Sequence, residues 1–393
     1  MTLFPGGDRK DFMIYLDNAA TSGTKPESVY EAVNHALRAV SGNPGRSGHK
    51  VSLEAGSLVQ GTRLGLAQLF HIGNAEQIVF TMNATDALNT AILGTAGPSS
   101  HIVTTSMEHN SVARPLFYLE SLGAEVTKVR ADLSAGVDPE EIRRAIRPDT
   151  ALVAVNHVSN VTGTVNDIGA IGKICREAGV PFLVDASQSA GALPIDVEEM
   201  CIDLLAFPGH KSLLGPQGTG ALYIRPGVEL LPFRRGGTGS RSELLTQPEL
   251  MPDKYESGTL NVPGIAGLGA GVRFLLDTGL SAVHAKEEAL VLRLIKGLSE
   301  MEGVTVYAPR EGCPRGSVLS FTVAGQEVQD ISMMLDMACN IAVRAGLHCA
   351  PDAHRTFGTF DGGGTVRVSP GYFTTEEEIG AFLEGMQMIL AGI

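Results

Sequence analysis

The chain is short of several things at once. It has five cysteines in 393 residues, standing singly at Cys175, Cys201, Cys313, Cys339 and Cys349, with no C-x-x-C pair. That spacing argues against a zinc site or redox dithiol, and the odd count against a disulfide framework. No run approaches the ~20 apolar residues of a membrane span, and the opening MTLFPGGDRKDF lacks the apolar core of a signal peptide. Basic residues are in the minority: 30 Lys and Arg against 43 Asp and Glu give a net charge of −13. This disfavours nonspecific binding to nucleic acid or to anionic membranes, while leaving room for a local basic pocket. No internal repeat stands out. There is no G-x-G-x-x-G between the first strand and helix, which counts against a nicotinamide-binding α/β protein. What remains is the expectation of a soluble cytoplasmic enzyme.

The composition that is present is globular, 44% hydrophobic and 19% charged, with ample material for a core. The length argues for two or more domains, or one large domain with an appendage. A short strand near Ile14 breaks into a polar turn, and a helix over 26–40 starts with Pro26 in its first turn. A Gly-rich loop, 41–48, precedes a long helix ending near Phe70. From 77 onward, strands expected over 77–82, 101–107, 125–130, 151–157, 181–184, 204–207 and 220–224 alternate with helices. Such alternation predicts an α/β fold with a mostly parallel sheet flanked by helices on both faces. After Gly258 the character changes to an α+β pattern, with helices over 262–277, 281–301, 328–337 and 375–390. The expected division is an N-terminal arm, 1–25, able to pack on a small C-terminal domain, 263–393, with a large domain, 26–262, between them.

Polar residues gather at the expected strand ends. Asp185 follows the apolar run 181–184, and Lys211 follows the run 204–207. A carboxylate and a lysine at neighbouring strand ends are the two partners that pyridoxal 5′-phosphate (PLP) requires. The amine makes the Schiff base, and the acid keeps the pyridinium nitrogen protonated so that the ring can take up electrons. Taken alone, the Asp reads as a turn or cap residue and the Lys as a solvated charge. Three more strand ends add to them. Ala84 and Thr85 open a helix whose N-terminus could seat a phosphate. His109 could stack on a flat ring, and Asn160, with Gln188, could hydrogen-bond a ring hydroxyl. His210 adjoins Lys211. In open α/β sheets, ligands bind at the carboxyl ends of the strands, and five coincidences outweigh one.

The motifs YLDNAATS, MEHNS, HVSNVTGTVND, VDASQSAG, GHK, ESGTLNVPGI and RVSPGYFTTEEEI resemble those of the class V aminotransferase family of fold-type I PLP enzymes, specifically its cysteine desulfurase branch. The resemblance covers nearly the whole chain. It implies that Lys211 is the Schiff-base lysine, that Asp185 pairs with the pyridine nitrogen and that His109 stacks on the ring. It places Gln188 and Asn160 on the ring-oxygen side and Ala84, Thr85 and His210 at the phosphate. Thr259 looks like the threonine that reaches the partner subunit's phosphate site, which implies a homodimer. One departure is Pro208, where the family usually has a Ser two residues before the His. Proline has neither hydroxyl nor N–H, so one phosphate hydrogen bond is missing or is supplied by a neighbour such as Ser212, and weaker cofactor retention, not loss, is expected.

Arg367 resembles the arginine that grips a substrate α-carboxylate, for which a planar fork is well suited. Cys349 lies in RAGLHCAP, a loop poor in core residues, where Arg344 and His348 could favour the reactive thiolate. The segment resembles the R-[ST]-G-x-H-C-A loop of the subgroup that includes selenocysteine lyase-like members. Ala345 and Leu347 replace the usual residues. The other four cysteines read as structural. The implied reaction turns L-cysteine into L-alanine, leaving a persulfide on Cys349 for a sulfur-acceptor protein. Lys211 or His109 would move the Cα proton. Selenocysteine lyase, or another class V aminotransferase or lyase in which Cys349 is incidental, are the alternative readings.

Overall fold

The computed structural model describes residues 13–40, 42–45 and 48–392; the first twelve residues of the expected N-terminal arm lie outside them, as does part of the Gly-rich loop. In chain order the strands are β1 (Ile14–Tyr15), β2 (Ile78–Thr81), β3 (His101–Thr105), β4 (Glu125–Val129), β5 (Thr150–Asn156), β6 (Phe182–Asp185) and β7 (Leu204–Pro208). Then come β8 (Gly220–Ile224), β9 (Val304–Tyr307), β10 (Leu319–Val323), β11 (Ile341–Ala342), β12 (Arg344–Gly346) and β13 (Thr365–Val368). The helices are α1 (Glu27–Ala39), α2 (Lys50–Leu69), α3 (Ala84–Thr95), α4 (Asn110–Ser121), α5 (Pro139–Ala145) and α6 (Ile168–Ala178). They continue with α7 (Val262–Thr278), α8 (Leu280–Ser299), α9 (Val328–Cys339), α10 (Pro351–Phe357) and α11 (Glu376–Leu390).

Seven strands form one sheet in the order β2-β8-β7-β6-β5-β3-β4. The ladders from β7 through β4 are parallel, and β8 runs antiparallel to both of its neighbours. Strand side chains alternate between faces. Val153 and Val155 of β5 therefore pack with α2 and α7 residues such as Leu66 and Leu268, while Leu152 and Ala154 pack with Leu88 of α3 and Leu116 of α4. Both faces being covered explains why the strands read as nearly continuous apolar runs. This is the mixed α/β arrangement expected from the alternation.

A four-stranded antiparallel sheet, β12-β13-β10-β9, carries its own core with α8, α9 and α11, built around Phe321 and Phe382. The chain's beginning joins it. Strand β1 pairs in parallel with β11, Ile14 opposite Ile341. Of these short elements, β11, β12 and α10 have no counterpart among the sequence expectations. Helix α3 begins at Ala84, where the Asn83 side chain caps it by accepting from Asp86 N at 2.9 Å. Asp138 caps α5 and Pro139 opens it.

Candidate active site

Strand ends at β2, β3, β5, β6 and β7 converge on one cavity of about 170 Å³. Its lining brings together Ala84, Thr85, His109, Asn160, Asp185, Gln188, His210 and Lys211, and adds Asn83, Ser111, Asn156, Val158, Ser187 and Pro208. Asp185 closes β6, and its buried carboxylate accepts from Ser187 N at 2.9 Å. Burial pushes its carboxyl above the usual range, against the pull of Ser187 and Lys211. Lys211 keeps some surface open to the cavity while its amine is surrounded by protein. Burial brings the amine down to about 8, opposed by Asp185 and aided by Arg367 and Arg344. About a tenth of such an amine is neutral at pH 7 and about half at pH 8, and the neutral form is what a base or nucleophile requires.

His109 is the N-cap of α4. Its Nδ1 accepts from Ser111 N at 3.0 Å. A backbone amide can only donate, so the proton of the neutral ring sits on Nε2. Burial, followed by Lys211 and Arg344, lowers the imidazole to about 4. His109 is therefore neutral and offers Nε2–H as a donor. The Ser111 hydroxyl links His109 Nδ1, at 2.9 Å, to Thr85 Oγ1, at 2.7 Å. Across the cavity, Gln188 Nε2 donates to Ala19 O at 3.0 Å, and Thr21 Oγ1 lies 3.1 Å from His210 Nδ1.

The residues fit PLP. Asn160 donates Nδ2 to His348 O at 2.7 Å, while its buried Oδ1 has no partner in the protein; such an orphan acceptor suits a ligand hydroxyl. The start of α3 at Ala84 and Thr85 offers free backbone N–H groups to an anion. Pro208, buried in β7, does line this cavity. Thr85, Ser111 and Ser187 are the hydroxyl residues that line it with Pro208. Ser212, the expected substitute, lines an adjoining cavity that shares Lys211 and Gln188 with this one.

Cys349, Arg344 and Arg367 stand beside this lining. Asn110 N, at the start of α4, donates to Cys349 O at 2.7 Å. With the Asn160–His348 bond, that ties the cysteine loop to the mouth of the cavity at two carbonyls. His348 and Cys349 are both left-handed, at φ 48° and 58°. Arg344 Nη2 lies 3.5 Å from Cys349 Sγ. Arg367 is 1% exposed and donates Nη2 to Asp17 Oδ1 at 2.6 Å and Nη1 to Asn160 O at 3.1 Å. Thr259 is exposed and does not line the cavity of its own chain. No helix among the described residues is long and apolar enough to cross a membrane.

Sequence reasoning passed over Glu108, Ser111, Ser187 and Asp17, although all four lie within motifs it had singled out. Glu108 is buried. Its Oε1 accepts from Thr105 Oγ1 at 2.7 Å and Asn156 N at 3.0 Å, and Oε2 has no partner. Burial pushes this carboxyl up to about 8, with Asp185 adding to the shift. Because the folded value lies above the ordinary one, the group's contribution to stability is full below about 4.5 and is lost as pH rises through about 8. Glu108→Gln keeps a neutral acceptor and removes this titration. The variant's stability relative to wild type should therefore rise with pH between 5 and 8, by up to ~1.4 kcal/mol per unit. Urea unfolding at three pH values checks this, and a flat difference would remove the titration from Glu108.

The pattern of the family described as aminotransferase class-V matches residues 14–382. A probable cysteine desulfurase of Methanothermobacter thermautotrophicus is 35% identical over 384 residues, covering 96% of this chain and 94% of that protein. The cysteine desulfurase IscS of Vibrio campbellii is 34% identical, covering 95% and 92%. Among solved structures, the apo cysteine desulfurase of Thermococcus onnurineus superposes with a TM-score of 0.89 at 34% identity, covering 97% of this chain and 95% of that one.

Proposed function

The chain belongs to the aminotransferase class-V family, and on that premise we propose that it is a PLP-dependent cysteine desulfurase that converts L-cysteine to L-alanine. The observation that carries the reading is the cysteine loop bound by two carbonyls to the rim of the cavity that holds Lys211 and Asp185. When bound, PLP supplies an electron sink for the pair left on the substrate Cα. Lys211 would hold it covalently and Asp185 would keep its ring nitrogen protonated. His109 would lie against the ring, Asn160 and Gln188 on its hydroxyl side, and Ala84, Thr85 and His210 at the phosphate.

The neutral Lys211 amine takes the Cα proton. Arg367 binds the α-carboxylate. Cys349 Sγ attacks the substrate sulfur, so an S–S bond forms as the C–S bond breaks. The C–S electron pair stays with Cβ, which gains a proton to become the methyl group of alanine. The persulfide on Cys349 then passes to a thiol acceptor. The same reading includes a homodimer, supported by the exposure of Thr259 and of Leu231, Leu245 and Leu250 in the preceding loop. It also includes a large and a small domain, supported by the separate seven- and four-stranded sheets, with the boundary moved from 262/263 to the end of α7, whose Leu268, Val272 and Leu275 pack in the core of the large sheet, and a cytoplasmic location, supported by five free cysteines.

Product analysis tests it. PLP-loaded protein is given L-cysteine and L-selenocysteine separately, with a thiol reductant, and alanine and sulfide are quantified. Alanine and sulfide in equal amounts from L-cysteine are expected. Alanine from selenocysteine alone would assign a lyase, and none from either would return the chain to a transaminase reading.

A further inference from the structure

We propose that Asp17 is a positioning residue of the substrate site: it holds one edge of the Arg367 guanidinium, so that a single edge is left for an incoming α-carboxylate. The inference rests on the reading of Arg367 as the carboxylate-binding residue.

In the antiparallel pair of β12 and β13, Arg344 stands opposite Arg367. Like charges placed directly across a ladder repel, and the repulsion grows where protein replaces water. Arg367 is nearly fully enclosed, so its charge needs a partner. Asp17 supplies one through Nη2 at 2.6 Å, and Asn160 O engages Nη1 at 3.1 Å. The third nitrogen, Nε, is buried with no acceptor. A guanidinium presents five N–H donors in a rigid fork. With both terminal nitrogens engaged, the Nε edge is the unsatisfied one, and an unmet buried donor is tolerable where a ligand provides the acceptor.

Asp17 can hold this geometry because its own backbone is fixed on both sides to the end of β13. Ser369 N donates to Leu16 O at 2.7 Å, Asn18 N to Ser369 O at 3.1 Å, and Ala19 N to Ser369 Oγ at 2.9 Å. Tyr15 Oη donates to Asp17 O at 3.2 Å. The same segment accepts Gln188 Nε2 at Ala19 O, 3.0 Å away. Asp17 therefore sits on a strap between Arg367 and the cofactor cavity.

The test uses the PLP-loaded protein and two ligands that differ by one carboxylate, L-alanine and ethylamine. Binding is followed by cofactor absorbance and by calorimetry. Asp17→Asn should weaken L-alanine about tenfold, equivalent to about 1.4 kcal/mol, and leave ethylamine within about twofold. Asp17→Glu should recover part of the loss, and it serves as the readout should Asp17→Asn fail to fold. Unchanged or tighter alanine binding, or equal weakening of both ligands, would overturn the proposal. Arg367→Met, run alongside, separates the two readings. If alanine binding survives that change, Arg367 is not the carboxylate residue and both readings fall. If only the Asp17 variants are silent, the positioning role alone fails.

Discussion

Lys211→Ala should abolish alanine formation from L-cysteine, by about 10³-fold or more, because the proposed function makes one side chain both the covalent holder of the cofactor and the base at Cα. The amine is enclosed and its ammonium form disfavoured by burial. Removing it takes away a desolvated charge, not a packing element, so the variant should fold and melt near wild type. Desalted protein should lose the cofactor's visible absorbance. A variant that keeps more than a tenth of wild-type turnover would refute the assignment. His109 cannot rescue the function, since its Nδ1 is held as an acceptor by Ser111 N and its Nε2 already carries the proton.

Cys349→Ala should lower alanine formation from L-cysteine by about 10²-fold or more, with cofactor and L-alanine still bound. Two carbonyls hold the loop, and the thiol's own contact, with Arg344, is to a residue of the same segment, so the substitution leaves the mouth of the cavity in place. Mass spectrometry adds a second measurement. Wild-type protein treated with L-cysteine should gain the mass of one sulfur atom, and the variant should not. Full alanine production by the variant in the presence of reductant would sink the persulfide assignment. The left-handed pair His348–Cys349, at about 1–3 kcal/mol each for such conformations, marks the loop as a shape the rest of the structure must impose.

The strand-end residues were legible because each follows an apolar run long enough to declare a strand, as Asp185 does after 181–184. Strands β11 and β12, of two and three residues, carry no period from which to read them. The hydroxyl residues that share the cavity with Pro208 are Thr85, Ser111 and Ser187, each from another strand end, which sequence proximity to Pro208 cannot reveal. Arg367 was readable as a fork for a carboxylate, whereas its partner Asp17 was not. Nothing local in YLDNAATS signals an ion pair with a residue near the other end of the chain.

Asp17 and Arg367 are 350 residues apart. On a ribosome adding roughly 5–20 residues per second, the first waits roughly 20–70 s for the second. All residues lining the cofactor cavity, Asn83 to Lys211, are made before Cys349 and Arg367. On the proposed reading, a nascent chain therefore has the groups that would hold a cofactor well before those that would engage an amino acid or carry its sulfur, and Cys349 and then Arg367 join a cavity lining that is already made.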